Sequence, residues 1–130
     1  RCCAFERGYQ TAVEGAAARA AIPTVVSANG SIRRYRQETE AAVYFCVLEA
    51  LQNAAKHAGD AATATVTVHE EDRRLVFVVA DTGVGFDPNK SSSGAGLTNM
   101  MDRVGAIGGV VTWDTAPGHG VTVRGSIPVE

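Results

Sequence analysis

The stretch that most constrains this chain is Val78-Val79-Ala80-Asp81-Thr82-Gly83-Val84-Gly85-Phe86. A β-branched apolar run carries the backbone through a core and is read as buried on both faces. It ends in one carboxylate, then breaks at two glycines two residues apart. Burying a carboxylate costs several kcal/mol unless it meets a donor. Glycines let the following backbone turn and approach another molecule closely. A strand-end acceptor followed by such a loop reads as a ligand site. Taken alone, Asp-Thr-Gly also fits the start of an ordinary hairpin turn, so the decision rests on the flanking segments.

The 130 residues suit one domain spanning 1–130. With 45% hydrophobic and 20% charged residues and a net charge of −2, the composition is globular. It offers no basic excess for nucleic acid or an anionic membrane. No apolar run approaches the roughly 20 residues of a membrane span. Cys2, Cys3 and Cys46 make neither a zinc spacing nor a disulfide framework, so a reducing cytoplasm is expected. A start at Arg1 without methionine reads as a piece of a longer protein.

Residues 5–20 are predicted as a helix with Phe5, Tyr9, Val13 and Ala17 on one stripe. Residues 22–26 form a short edge strand that tolerates Pro23. The strongest helix runs from Glu38 to Ala58, with acidic residues in its first turn and a stop at Gly59. Its expected core stripe is Tyr44, Val47, Leu48, Leu51, Ala55 and Ala58. Glu49, Asn53 and Lys56 share a second, polar stripe, which fits a solvated face as well as a site. Residues 63–69 alternate Thr outward with Ala64, Val66 and Val68 inward, the period of a half-buried strand. A charged turn over 70–73 leads to the strand 74–81, and residues 86–96 have loop composition. A helix over 97–107 carries Leu97, Met100, Met101 and Val104, and strands follow at 110–114 and 121–127. This order predicts a two-layer α/β sandwich, a mixed sheet of about five strands with three helices on one face.

The phosphate cradles of the P-loop and the dinucleotide Gly-x-Gly-x-x-Gly pattern are absent. Gly94-Ala95-Gly96 opening a helix still offers free backbone N–H groups to an anion. Three segments therefore stand in order: Glu49-Ala50-Leu51-Gln52-Asn53-Ala54-Ala55-Lys56-His57-Ala58, Asp81-Thr82-Gly83-Val84-Gly85-Phe86 and Gly94-Ala95-Gly96-Leu97. This order resembles the N box and two glycine boxes of the ATP-binding catalytic domain of sensor histidine kinases. That ATPase superfamily also holds DNA gyrase, a heat-shock chaperone and a mismatch-repair protein. Met100-Met101-Asp102-Arg103-Val104 running to Gly108-Gly109 is similar to the nitrate/nitrite-sensor subfamily. The resemblance covers roughly residues 5–130.

The resemblance implies Mg·ATP binding and transfer of the γ-phosphate to a histidine on a separate dimerisation and phosphoacceptor domain, with a response regulator downstream. It makes Asp81 the acceptor for the adenine amine, Asn53 a Mg²⁺ ligand and Lys56 a partner for phosphate charge. His57 either contacts the nucleotide or packs. Glu49 is the catalytic base of the ATPase relatives; in a kinase it instead positions water. Residues 86–96 become a short ATP lid, bordered by Gly83, Gly85, Gly94 and Gly96, with Leu97 closing the second box. The family's Gly-x-Gly-Thr turn reads Gly118-His119-Gly120-Val121 here, so Thr122 stands one place late as a binding residue. His57, His69 and His119 lie in no phosphoacceptor motif, which places the acceptor before Arg1. The isolated domain is expected to be a cytoplasmic monomer, a placement that also suits the cytosolic part of a membrane-bound sensor. A stand-alone anti-sigma serine kinase and a nucleotide-binding module without transfer activity are the alternatives. An aspartic protease shares Asp-Thr-Gly but would be nearly all β.

Overall fold

The computed structural model describes residues 9–28, 35–57, 62–83, 94–115 and 120–129. The elements are α1 (Tyr9–Arg19), β1 (Thr24–Ala28), α2 (Gln37–His57), β2 (Ala64–Glu71), β3 (Arg74–Asp81), α3 (Gly94–Gly105), β4 (Val110–Thr115) and β5 (Val121–Pro128). The strands form one sheet in the order β1-β2-β3-β5-β4. β1 and β2 run parallel, the pairing that a helical crossover such as α2 produces. The other pairs are antiparallel.

Register decides the two faces. Leu75, Phe77 and Val79 of β3 stand level with Val68, Val66 and Val123 or Ile127 on one face, and all are buried against the helices. The other face carries Thr65, Thr67, Thr112, Thr122 and Arg124, a composition that water tolerates. On that face Val76 is buried while Val78 and Ala80 are only half-buried. The expectation that this strand is buried on both faces is therefore corrected: helices cover only one. The helical content also removes the aspartic-protease reading.

The core joins Val13 of α1, Val43, Cys46, Val47, Ala50, Leu51 and Ala54 of α2, and Met100 and Val104 of α3 to the inner sheet. The buried stripe of α2 thus differs from the predicted one. Tyr44 and Leu48 are half-buried and Ala55 is exposed; Ala58 and Phe5 lie outside the described residues. The reason is that α2 packs against the sheet, α3 and α1 together, so its apolar surface is broader than one stripe. Met101 is exposed, not core.

Turn chemistry closes the elements. The hairpin between β2 and β3 is tighter than predicted, with Asp72 (φ 51°) and Arg73 (φ 62°) as its two central residues. Positive φ at both is the type I′ geometry that matches strand twist. α3 begins at Gly94, inside the stretch predicted as loop. It closes with a Schellman arrangement: the Gly109 N–H donates to the Val104 carbonyl (3.0 Å) and the Gly108 N–H to that of Gly105 (3.1 Å). Gly108 takes the required positive φ of 82°.

Gly125 shows how tightly β3 and β5 fit. It stands opposite Phe77, and a Cβ there would lie 2.0 Å from the ring's Cζ. Phe77 is fully buried and has nowhere to go. Gly125→Ala is expected to destabilise the fold by about 1–3 kcal/mol, the range for overpacking a filled core. Urea unfolding of the two proteins measures the difference; an unchanged midpoint would refute the account.

Candidate functional site

Asp81 is the last residue of β3, level with Ala64 across β2. By alternation its side chain shares the face of Leu75, Phe77 and Val79, the face over which α2 packs. Three contacts hold this strand end. The Gly83 N–H donates to Asp81 Oδ1 at 2.8 Å. The Thr82 N–H donates to the Thr63 carbonyl (3.0 Å), and the Thr63 N–H returns a bond to Thr82 Oγ1 (3.0 Å). Asp81 Oδ2 makes no hydrogen bond among the described residues. The carboxylate is half-buried, with one oxygen fixed by the Gly83 N–H two residues on.

Gly120 completes the strand end from the other side. With φ at +71°, it lies so close that a Cβ would stand 2.2 Å from the Asp81 carbonyl oxygen and 3.3 Å from Oδ1. Any side chain would push the carboxylate out of place. The sequence reading placed a turn here but did not assign Gly120 a role; its only signal was the Gly118-x-Gly120 spacing.

On α2, Glu49 and Asn53 lie one turn apart and both are half-buried, about 6 Å along the axis. Neither makes a hydrogen bond among the described residues. Lys56 is exposed and also borders an open cavity of about 450 Å³ between α1 and α2, with Arg19, Leu48 and Gln52. It therefore sits on the crest between that cavity and the Glu49–Asn53 stripe. His57 ends α2, while Gly94, Gly96 and Leu97 fall in the first turn of α3. Gly83 is the donor to Asp81. Gly85 and lid residues 86–93 lie outside the described residues; residues 94–96 of the expected lid are helical.

Thr122 pairs with Ala80 and is exposed, so it stands on the open face, whereas Asp81 stands on the helix face. Its neighbour Val121 has the parity of Asp81. A shift of one residue exchanges the two faces of a strand, and the late threonine is carried away from the site.

Two neighbours were not foreseen. Arg103 of α3 rests its guanidinium carbon 4.2 Å from the centroid of the Phe45 ring on α2. Cys46, next to Phe45, is fully buried. Burial pushes its thiol up to about 12, the Arg103 charge pulls against that rise, and Glu49 adds to it. Glu49, Cys46 and Arg103 thus share one electrostatic neighbourhood beneath α3.

Fold and motif order together define a histidine-kinase-type ATPase domain. Residues 38–130 match the model of the histidine kinase-, DNA gyrase B- and HSP90-like ATPases, and the chain belongs to that family. Among its relatives is the signal transduction histidine-protein kinase/phosphatase DegS of Brevibacillus brevis, 36% identical over 101 residues. That match covers 77% of this chain and 26% of DegS. The corresponding kinase/phosphatase UhpB of Salmonella typhimurium is 40% identical over 80 residues, 62% of this chain and 15% of UhpB. The chain thus spans about a quarter or less of these relatives. Full-length ShkA in complex with AMPPNP shares the fold with a TM-score of 0.75 at 23% identity, over 93% of this chain and 29% of that one. The mycobacterial sensor histidine kinase MprB does so with 0.66 at 20% identity, over 94% and 93%. No helix among the described residues is long and apolar enough to cross a membrane.

The Cys46 thiol makes a pH prediction. Its ionisation moves from 9.0 in an exposed thiol to about 12 in the folded chain. A raised value means the stabilisation is complete below pH 9 and is lost as pH rises towards 12. Stability should fall by up to about 1.4 kcal/mol per pH unit over that window from this group. Cys46→Ala should remove that part of the alkaline slope while lowering stability overall. Urea unfolding at pH 8, 9 and 10 compares the slopes, and equal slopes would refute the assignment.

Proposed function

We propose that the chain binds Mg·ATP and presents its γ-phosphate to a histidine on a separate dimerisation domain, with a response regulator as the next acceptor. The observation that carries this is Asp81: a carboxylate with Oδ1 held by the Gly83 N–H and Oδ2 without a hydrogen bond among the described residues, on the sheet face over which α2, the helix of Asn53, packs, in a domain of this family. A carboxylate only accepts, so it suits the adenine amine and opposes the carbonyl that guanine carries there. Val121 on the same face gives the base an apolar wall, not a hydroxyl.

Asn53 offers a half-buried amide oxygen with no hydrogen-bond partner among the described residues, the hard donor that Mg²⁺ prefers. No group of three His, Cys, Asp or Glu gathers among the described residues to hold a metal alone. This fits an ion held by one side chain together with the phosphates. When bound, Mg²⁺ would neutralise charge on the phosphate oxygens. Lys56 adds a cation at the rim, and the first turn of α3 turns free N–H groups towards anionic oxygen. Glu49 orients water beside the phosphates, because the nucleophile comes from another domain. Phosphoryl transfer depends mainly on positioning and charge stabilisation. A domain that holds ATP in this way but lacks the acceptor is nearly silent, and it works in the cytoplasm as one arm of a longer sensor.

Calorimetric titration tests the site. Asp81→Asn should weaken ATP about 10–150-fold, the loss of a hydrogen bond to a charged group, with the melt little changed. Asn53→Ala should erase the gain in ATP affinity that Mg²⁺ gives over EDTA. Equal ATP affinity for wild type and Asp81→Asn, or a preference for GTP, would remove Asp81 from the site.

Transfer is tested separately with γ-labelled ATP. The chain alone should stay unlabelled, while an added dimerisation domain from a DegS-like kinase takes up acid-labile label. Acid-labile label on this chain alone would overturn the division of labour.

A further inference from the structure

The contact between Arg103 and Phe45 has a consequence for the nucleotide. The guanidinium carbon lies 4.2 Å from the ring centroid, within the distance at which a cation is attracted to an aromatic face. Arg103 is exposed and Phe45 half-buried. Among the described residues Arg103 makes no hydrogen bond or ion pair. Its charge sits in the last turn of α3, where the helix dipole favours a cation. Among the described residues α3 also reaches the core through Met100 and Val104, both fully buried. Such apolar contacts set how deep a helix lies and are weakly directional. The ring contact is directional.

Its position matters. Arg103 is seven residues after Gly96 on α3, about 10 Å along the axis, and Phe45 is eight residues before Asn53 on α2, about 12 Å. The contact therefore ties the two helices together two turns away from the ends that face the phosphates. A tilt of about 10° around that point would carry the first turn of α3 by about 2 Å, enough to break hydrogen bonds from its N–H groups.

We propose that Arg103 is a positioning residue for the triphosphate: seated on the Phe45 ring, it fixes the angle at which α3 meets α2 and so holds the α3 N-terminus at its distance from Asn53. This rests on the reading that those two groups bind the phosphates of ATP. Arg103 acts through Phe45 and does not touch the nucleotide.

Titrations of ATP and of adenosine separate this role from a structural one, because adenosine is read by Asp81 on β3 and carries no phosphate. Arg103→Ala should weaken Mg·ATP about twofold to fivefold, the worth of an exposed cation–π contact. Adenosine affinity should stay as in wild type, and the melting temperature should fall by no more than about 2–5 °C, the worth of that contact to the fold. Phe45→Leu leaves the guanidinium but removes its seat and should lose the same factor. The double variant should lose no more than either single one. Arg103→Lys, which keeps a cation over the ring, should recover part of the loss. Wild-type ATP affinity in Arg103→Ala would overturn the proposal, as would equal losses for ATP and adenosine, or additive losses in the double variant. Should Arg103→Ala fail to fold, Phe45→Leu and Arg103→Lys carry the same comparison. A wild-type chain that binds neither ligand refutes the nucleotide reading itself, and this proposal with it. A chain that binds ATP with all variants unaffected refutes this proposal alone.

Discussion

The β3 strand has to end in a carboxylate that is half inside the protein, and much of the surrounding structure answers that one requirement. A carboxyl oxygen in partial burial needs a donor, and the chain supplies one from two residues on, through the Gly83 N–H. That bond bends the backbone at Gly83, just past the last residue of β3. Thr82 and Thr63 then exchange hydrogen bonds that extend the β2–β3 pairing past the last ladder position. These bonds immobilise the strand end from one side, and the close backbone of Gly120 bounds it from the other. Among the described residues the second oxygen takes no hydrogen bond, which leaves one acceptor of fixed direction, the form of a specificity element.

Sheet order explains why the polar stripe of α2 reaches the same place. α2 connects β1 to its parallel neighbour β2, and packs across β3 and β5 as well. Its core residues point down onto those strands, and the flank bearing Glu49 and Asn53 is left half-buried. β4 is an edge strand placed beyond β5, so the chain leaving β3 must pass β5 before it rejoins the sheet. α3 makes that passage and comes to rest against α2. The two helices with candidate phosphate-binding groups are neighbours because of connectivity, not because either attracts the other strongly.

Much of this was legible in the sequence where local chemistry and tertiary environment agree. β3 was predicted over its full observed span because β-branched residues, a charged entry and a glycine exit all point the same way. The alternation of Thr65 and Thr67 with Ala64, Val66 and Val68 announced a one-sided sheet. Failures occurred where a third partner intervenes. The core stripe of α2 was drawn about one residue to the side of the buried one, because the sheet, α1 and α3 together decide which flank is covered, which periodicity cannot reveal. Gly94-Ala95-Gly96 has the composition of a loop, yet α3 begins there, against a propensity deficit of about 1 kcal/mol per glycine. The candidate site stands in the sequence as motif order, which carries no information on facing. Thr122 seemed one place late, and only the register with Ala80 shows that one place means the opposite side of the sheet.

The same register exposes a division of labour between β3 and β5. β3 carries the largest buried side chain, Phe77, and the carboxylate of Asp81. Opposite Phe77, β5 has Gly125, and beside Asp81 the turn into β5 has Gly120; at each place a Cβ would collide. Glycine in a strand interior weakens it by about 0.5–1 kcal/mol relative to alanine, and an αL turn has its own entropic cost. Those costs are offset if the partner strand can lean across the vacant position, as Phe77 does with its whole ring. The seam is therefore shaped by absence on one strand and bulk on the other. A substitution on β5 would be felt on β3, and through Phe77 and Val79 at Asp81. Fold stability and the placement of the Asp81 carboxylate meet along this seam, and Phe77, Gly120 and Gly125 bear on both.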